Sequence, residues 1–235
     1  MVNLTEELQS EEYIDIPIPS VPEIIHNYAE EGVIVRQKYF ATYSQDIEKA
    51  AYLIALTITN GGKILLCGNG GSAADAQHIA GIFVNRFLID RPPLPAIALN
   101  TDTSILTAID NDFTFEQVFS KQVQAIGQKG DLLIGISTSG TSTNILSALN
   151  TAKLCGLHTI GLTGLNKSLT NDLESSKHIN TGQIVDLCDI LLSVPHTSTP
   201  VIQEIHIATG HILCQLVDYF LFENTNALIL SQYKK

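Results

Sequence analysis

Tryptophan is absent from this chain of 235 residues, methionine occurs once, and positive charge is scarce. Only 13 Lys and Arg stand against 24 Asp and Glu, a net charge of −11. Nucleic-acid affinity draws on clustered cations facing phosphates, so this deficit excludes direct binding of DNA or RNA. Any nucleic-acid role would act through another protein. Charged residues make up 16% of the chain and apolar ones 45%, a balance that suits a packed domain and not a disordered segment. The four cysteines, Cys67, Cys155, Cys188 and Cys214, contain no Cys-x-x-Cys pair, which argues against a zinc ribbon or a redox couple. Each lies in an apolar run and reads as a buried, reduced thiol. The N-terminus carries Glu6, Glu7, Glu11 and Glu12 where a signal peptide would be basic, and no apolar stretch reads as long enough to span a bilayer. Cytoplasmic residence without a membrane partner is the default expectation.

Apolar periodicity divides what is present. Residues 1–22 are acidic and then proline-spaced, which predicts a flexible extended arm. Residues 23–226 read as one domain, and 227–235 as a tail. Glu23 to Asn60 has helical spacing at Ile47, Ala50, Ala51, Ile54 and Ala55, predicting an N-terminal helix or helix pair. Five short apolar runs follow: Ile64–Cys67, Pro95–Leu99, Asp131–Ile136, Thr159–Thr163 and Ile190–Val194. They alternate with helical segments, a pattern that predicts a three-layer α/β/α fold, flavodoxin-like, around a five-stranded parallel sheet. The last helix is expected over Thr199 to Phe222.

Two loops carry the chemistry. After the first strand comes Gly68-Asn69-Gly70-Gly71-Ser72. Its glycines permit close backbone approach to a ligand, and Ser72 with Asp75 reads as an N-cap and capping-box pair opening a helix. A tight turn with no ligand gives the same local signal. The third strand runs into Ser137-Thr138-Ser139-Gly140-Thr141-Ser142-Thr143, six hydroxyls in seven residues at another expected helix start. Hydroxyls and backbone N–H groups there can surround a phosphate without Lys or Arg, although an ordinary capping cluster is the alternative. In a parallel α/β sheet both loops fall at the carboxyl ends of strands, where ligands collect.

These two loops, together with Ile202-Gln203-Glu204-Ile205-His206, resemble the three signature stretches of the sugar isomerase (SIS) domain of the phosphoheptose isomerase family. Asn85-Arg86, Arg91-Pro92, Pro95-Ala96-Ile97-Ala98 and Asn111-Asp112-Phe113 match in order and spacing, so the resemblance covers about residues 30–222. It implies a homotetramer with phosphosugar sites at subunit boundaries. It also implies that Ser72, Ser137, Thr138, Ser139 and Ser142 hold the phosphate. Asn69, Gly70, Gly71, Asp112 and Gln203 would lie near the sugar, and Arg86 takes the family's Arg position. Active members interconvert sedoheptulose 7-phosphate and an aldoheptose 7-phosphate. In them a helical His-x-x-x-Glu supplies a zinc ligand and a carboxylate base, completed by Gln and His eight residues apart on the last helix. Here His78, Gln203 and His211 are the matching metal positions, with His211 also catalytic in an active enzyme. The residue four after His78, however, is Ile82, which neither ligates zinc nor takes a proton. Two imidazoles and a neutral amide are a poor zinc set, and Gln203 and His211 stand about 12 Å apart along a helix.

Two functional expectations follow. The stretches around Ser72–His78, Asn85–Phe87, Leu94–Asp102 and Leu106–Ile109 resemble the DnaA initiator-associating branch of the family. That resemblance implies a non-catalytic tetramer which binds a sugar phosphate, needs no cofactor and regulates replication through the initiator DnaA. Leu221 and Phe222 are then candidate partner contacts, or simply a helix end packed on the core. The alternative is an active, zinc-dependent phosphoheptose isomerase whose carboxylate comes from elsewhere, Asp102 or Glu204 being candidates.

Overall fold

The computed structural model describes residues 18–165 and 182–224. Most of the expected arm, and the whole of the tail at 227–235, lie outside that range. One helix of 39 residues, α1 (Val21–Thr59), takes the place of the expected helix or helix pair. It starts before the predicted boundary because Ser20 caps it: the Glu23 N–H donates to the serine hydroxyl while the Ser20 N–H donates to the Glu23 carboxylate. Pro22 falls in the first turn, where its missing N–H costs nothing. The second half of α1 is core, with Ile47, Ala50, Ala51, Ile54 and Ala55 buried; in the first half Ile24, Ile25, Tyr28, Val33 and Ile34 are exposed.

The sheet contains β1 (Ile64–Gly68), β2 (Ala96–Ala98), β3 (Leu132–Ser137), β4 (His158–Gly164) and β5 (Ile190–Val194). All pairings are parallel, in the order β2-β1-β3-β4-β5. The other helices are α2 (Gly71–Val84), α3 (Thr103–Asp112), α4 (Ser120–Ile126), α5 (Thr143–Leu154) and α6 (Thr199–Asp218). The predicted three layers are present. Along β1, Ile64 and Leu66 pack in a cluster with α1, α2 and α6, while Leu65 and Cys67 pack on the other face with α4 and α5. A strand buried on both faces needs an unbroken apolar run, which is what made these strands readable.

Three expectations change. Ser72 does not cap α2: the cap is Gly70, at φ +55°, without a side-chain hydrogen bond, and Ser72 is buried inside the first turn. Cys155 and Cys188 are half-buried where all four thiols were expected to be buried, although all four are free. The segment Thr199–Glu223 is long and apolar enough to cross a bilayer, against the sequence expectation. It packs as a core helix against α1 and α2, with Ile202, Ile205, Leu213, Cys214 and Val217 buried.

Arg91 fixes the far end of α2. It is buried, donates to Asp218 at 2.8 Å at the end of α6, and donates to the carbonyls of Phe83 at 2.7 Å and Ile82 at 3.1 Å. Burial raises the Asp218 pKa, and the guanidinium opposes that shift. One side chain thus satisfies carbonyls that the end of a helix leaves open and ties α2 to α6.

Candidate functional site

The strand order reverses direction between β1 and β3, and in such folds the crevice at the carboxyl ends of those strands is the binding position. The β1–α2 loop (68–72) and the β3–α5 loop (137–142) both open there. Gly68 is required, since a Cβ would lie 2.4 Å from the Ser72 carbonyl oxygen. In the second loop Ser137 is buried with its hydroxyl 3.0 Å from that of Ser142, and the Ser139 hydroxyl accepts from Thr141. The Gly164 N–H donates to the carbonyl of Thr138, holding this loop to the end of β4. The two loops are joined by a reciprocal amide pair. Asn69 donates to the Asn144 carbonyl oxygen at 2.8 Å, and Asn144 donates back at 2.9 Å.

The helix ends differ in a way that bears on ligand chemistry. The helices α1 and α3 are capped by side chains, Ser20 and Asp102. At α2, α5 and α6, which follow β1, β3 and β5 at the carboxyl edge, no side chain caps the first turn. Their positive dipole ends favour an anion, although the Ser72, Ala73 and Ile145 N–H groups already donate to the Asn69, Gly70 and Ser142 carbonyls and Pro200 in α6 has no N–H.

The expected residues divide into groups. Asn69, Gly70, Gly71, Ser72, Ser137, Thr138, Ser139 and Ser142 converge on the crevice. Gln203 joins them from α6: a Cβ on Gly71 would lie 2.3 Å from the Gln203 amide nitrogen. His78 and His211 form a second group about two turns along α2, their Nε2 atoms 2.9 Å apart. Phe87 stacks on His211 with ring centroids 5.5 Å apart. The Nε2–Nε2 contact requires an N–H on one ring and a lone pair on the other. Burial, then His78 and Arg36, push the His211 pKa down. Arg86 and Asp112 are exposed; among the described residues no hydrogen bond joins either to the two loops, and Asp112 accepts from Asn111.

The donor set does not fit zinc. The Gln203 amide lies against Gly71 at the loop, Ile82 packs against the core, and no cluster of three or more His, Cys, Asp or Glu exists among the described residues. The two substitute carboxylates are engaged elsewhere. Asp102 accepts from the Ile105 N–H at the start of α3, and Glu204 accepts from the Tyr28 hydroxyl. His206 is structural, fully buried with Nε2 at 3.1 Å from the Thr163 carbonyl, and burial pushes its pKa down to about 4. Leu221 is half-buried and packs on the core, leaving Phe222 as the exposed member of that pair.

Sequence reasoning missed two residues. Asn144 gave no signal because its partner is 75 residues away. Asp75, read as a capping residue, has a carboxylate oxygen buried without a partner, and burial pushes its pKa up to about 6. Its signal was the helical spacing of positions 71, 75, 78 and 82, which share one face of α2.

The family description SIS domain matches residues 27–164. A phosphoheptose isomerase of Desulfovibrio desulfuricans is 54% identical over 209 residues, covering 89% of this chain and 93% of that protein. Among solved structures, the phosphoheptose isomerase GmhA of Neisseria gonorrhoeae is 40% identical with a TM-score of 0.74, covering 85% of this chain and 99% of its own. A phosphoheptose isomerase from Francisella tularensis is 36% identical with a TM-score of 0.75, at the same 85% and 99% coverage.

Proposed function

The chain belongs to the SIS-domain phosphoheptose isomerase family, and from that premise we infer that it is a cytoplasmic sugar-phosphate isomerase acting on sedoheptulose 7-phosphate. The observation that carries this reading is the separation along α2 of a phosphate cradle from an imidazole pair. His78 lies seven residues beyond Gly71, about 10 Å along the helix. With the phosphate at the loops, a sugar whose carbonyl end is several carbons from its phosphate reaches the histidines.

The chemistry required there is a proton transfer between neighbouring carbons. One imidazole lone pair takes the proton from the carbon beside the carbonyl, the C–H electron pair becomes the enediolate double bond, and the N–H of the other histidine donates to the developing oxyanion. Returning the proton to the adjacent carbon, while the hydroxyl proton of the neighbouring oxygen passes to the former carbonyl oxygen, completes the isomerisation with no net gain or loss of electrons. The lowered pKa of His211 keeps a base available at neutral pH. A homotetramer belongs to this reading, because the exposed apolar residues of early α1, and α3, which buries no residue, offer faces to neighbouring copies. A monomer in analytical ultracentrifugation would remove that element.

One observation favours a second reading. Ile82 stands where the resemblance puts the carboxylate base, which suits a protein that binds the sugar phosphate and regulates replication initiation through DnaA. Purified protein assayed with sedoheptulose 7-phosphate, with and without added Zn²⁺, separates the two. Turnover that His211→Ala abolishes supports the isomerase; binding without turnover supports the regulator; absence of binding overturns both.

A further inference from the structure

The amide pair joins Asn69, expected near the sugar, to Asn144, to which the resemblance gives no role. Asn144 is the second residue of α5 and only 2% exposed. An Asn near a helix start ordinarily bonds to its own backbone. Here it crosses to another loop, and each amide gives one donor and one acceptor to the other, at 2.8 and 2.9 Å. On its other side the same loop meets Gln203, whose amide leaves no room for a side chain at position 71. The β1–α2 loop is therefore held between α5 and α6, while the second loop is closed by its own Ser137–Ser142 contact.

We propose that Asn144 is a positioning residue for phosphate binding: its amide locks the β1–α2 loop to the start of α5, so that both loops meet the phosphate as one rigid cradle. The proposal rests on the sugar-phosphate reading of the site. The cradle has no cationic side chain in either loop, so its affinity depends on N–H and O–H groups held in place before the ligand arrives. Asn69 acts here through its side chain as half of the lock, which leaves one amide N–H on each residue for other contacts.

Calorimetry with sedoheptulose 7-phosphate, and separately with inorganic phosphate, tests this on the full chain well below its melting temperature. Asn144→Leu keeps the shape without the hydrogen bonds, and Asn144→Ala removes both. Each is expected to weaken both ligands about tenfold, equivalent to about 1.4 kcal/mol. In the isomerase assay KM should rise by a similar factor with kcat unchanged, a split that general destabilisation does not produce. Lys63→Ala, which breaks the Lys63–Asp131 pair at the opposite edge of the sheet, is the control: it lowers the melting temperature and leaves affinity intact. Wild-type affinity in both Asn144 variants overturns the lock alone. Failure of the wild-type protein to bind either ligand overturns the lock together with the reading on which it rests, and a loss of affinity equal to that of Lys63→Ala overturns the positioning role.

Discussion

Replacing Ile82 by glutamate tests the site at the position where its chemistry is least complete. The residue is half-buried on α2, on the same face as Gly71 and His78, and packs against the core. Complete burial of an isoleucine contributes about 1.5–3 kcal/mol, so removing a half-buried one costs roughly 1–1.5 kcal/mol. Partial desolvation of the new carboxylate adds to that cost and raises its pKa, which brings a general base closer to neutrality. The fold should survive, because Arg91 continues to hold the Ile82 carbonyl and the end of the helix. A well-placed general base contributes about 10²–10⁴-fold in rate, or about 3–5 kcal/mol. Turnover of sedoheptulose 7-phosphate by Ile82→Glu should therefore exceed that of the natural chain by a factor in that range, with urea unfolding showing a loss of about 1–2 kcal/mol. Ile82→Gln, of the same shape without a base, should show the stability loss and no gain in rate. A folded Ile82→Glu protein that binds substrate yet turns it over no faster would refute the placement of the reacting carbons beside this face of α2.

Removing Arg91 by Arg91→Met strands the Asp218 carboxylate and several carbonyls in the interior, and should cost about 3–5 kcal/mol in urea unfolding. Converting Asp218→Leu as well should recover much of that, and failure to recover would show that the carbonyl contacts dominate. His206 is neutral in the fold, with its pKa pushed down to about 4, whereas the unfolded chain protonates near 6.5. The unfolded state thus gains the proton first, and stability should fall by about 3 kcal/mol as pH drops from 6.5 to 4. His206→Gln should lack that share of the slope. For Asp75, raised to about 6 by burial, the sign reverses, because the folded state holds the proton longer and loses stability as pH rises through that value. Asp75→Asn should raise stability at pH 8 by about 1 kcal/mol, a figure discounted for the partial exposure of the group, and give no gain at pH 4; equal midpoints at both pH values would contradict this.

The strands were readable because a strand buried on both faces must be apolar without interruption, as Leu132–Ile136 is. The two loops were readable because glycine and hydroxyl clusters have few other uses between a strand and a helix. Local reading failed where geometry overrode propensity. Ser72 has the right neighbours for a cap, but the positive φ of Gly70 starts the helix earlier and turns Ser72 inward. It also failed where the partner is remote. The tie from Arg91 to Asp218 spans 127 residues and that from Asn69 to Asn144 spans 75, and nothing near any of these four announces the other end. The proline spacing around Pro22 concealed a helix start because proline is unfavourable inside a helix and harmless in its first turn.

The strand order has a consequence for how the chain is made. β1 lies between β2 and β3, and its register with β3 pairs Ile64 with Leu132, 68 residues later. During synthesis at about 5–20 residues per second, that partner follows β1 out of the ribosome by about 3–14 s. β2 arrives sooner but is only three residues long. For those seconds a strand apolar on both faces has one edge without a partner, shielded by helices that form locally and quickly. Folding yield in the cell should accordingly respond to the rate of translation between residues 68 and 132, a stretch that encodes Asn69, Gly70, Gly71 and Ser72 of the first loop and no residue of the second.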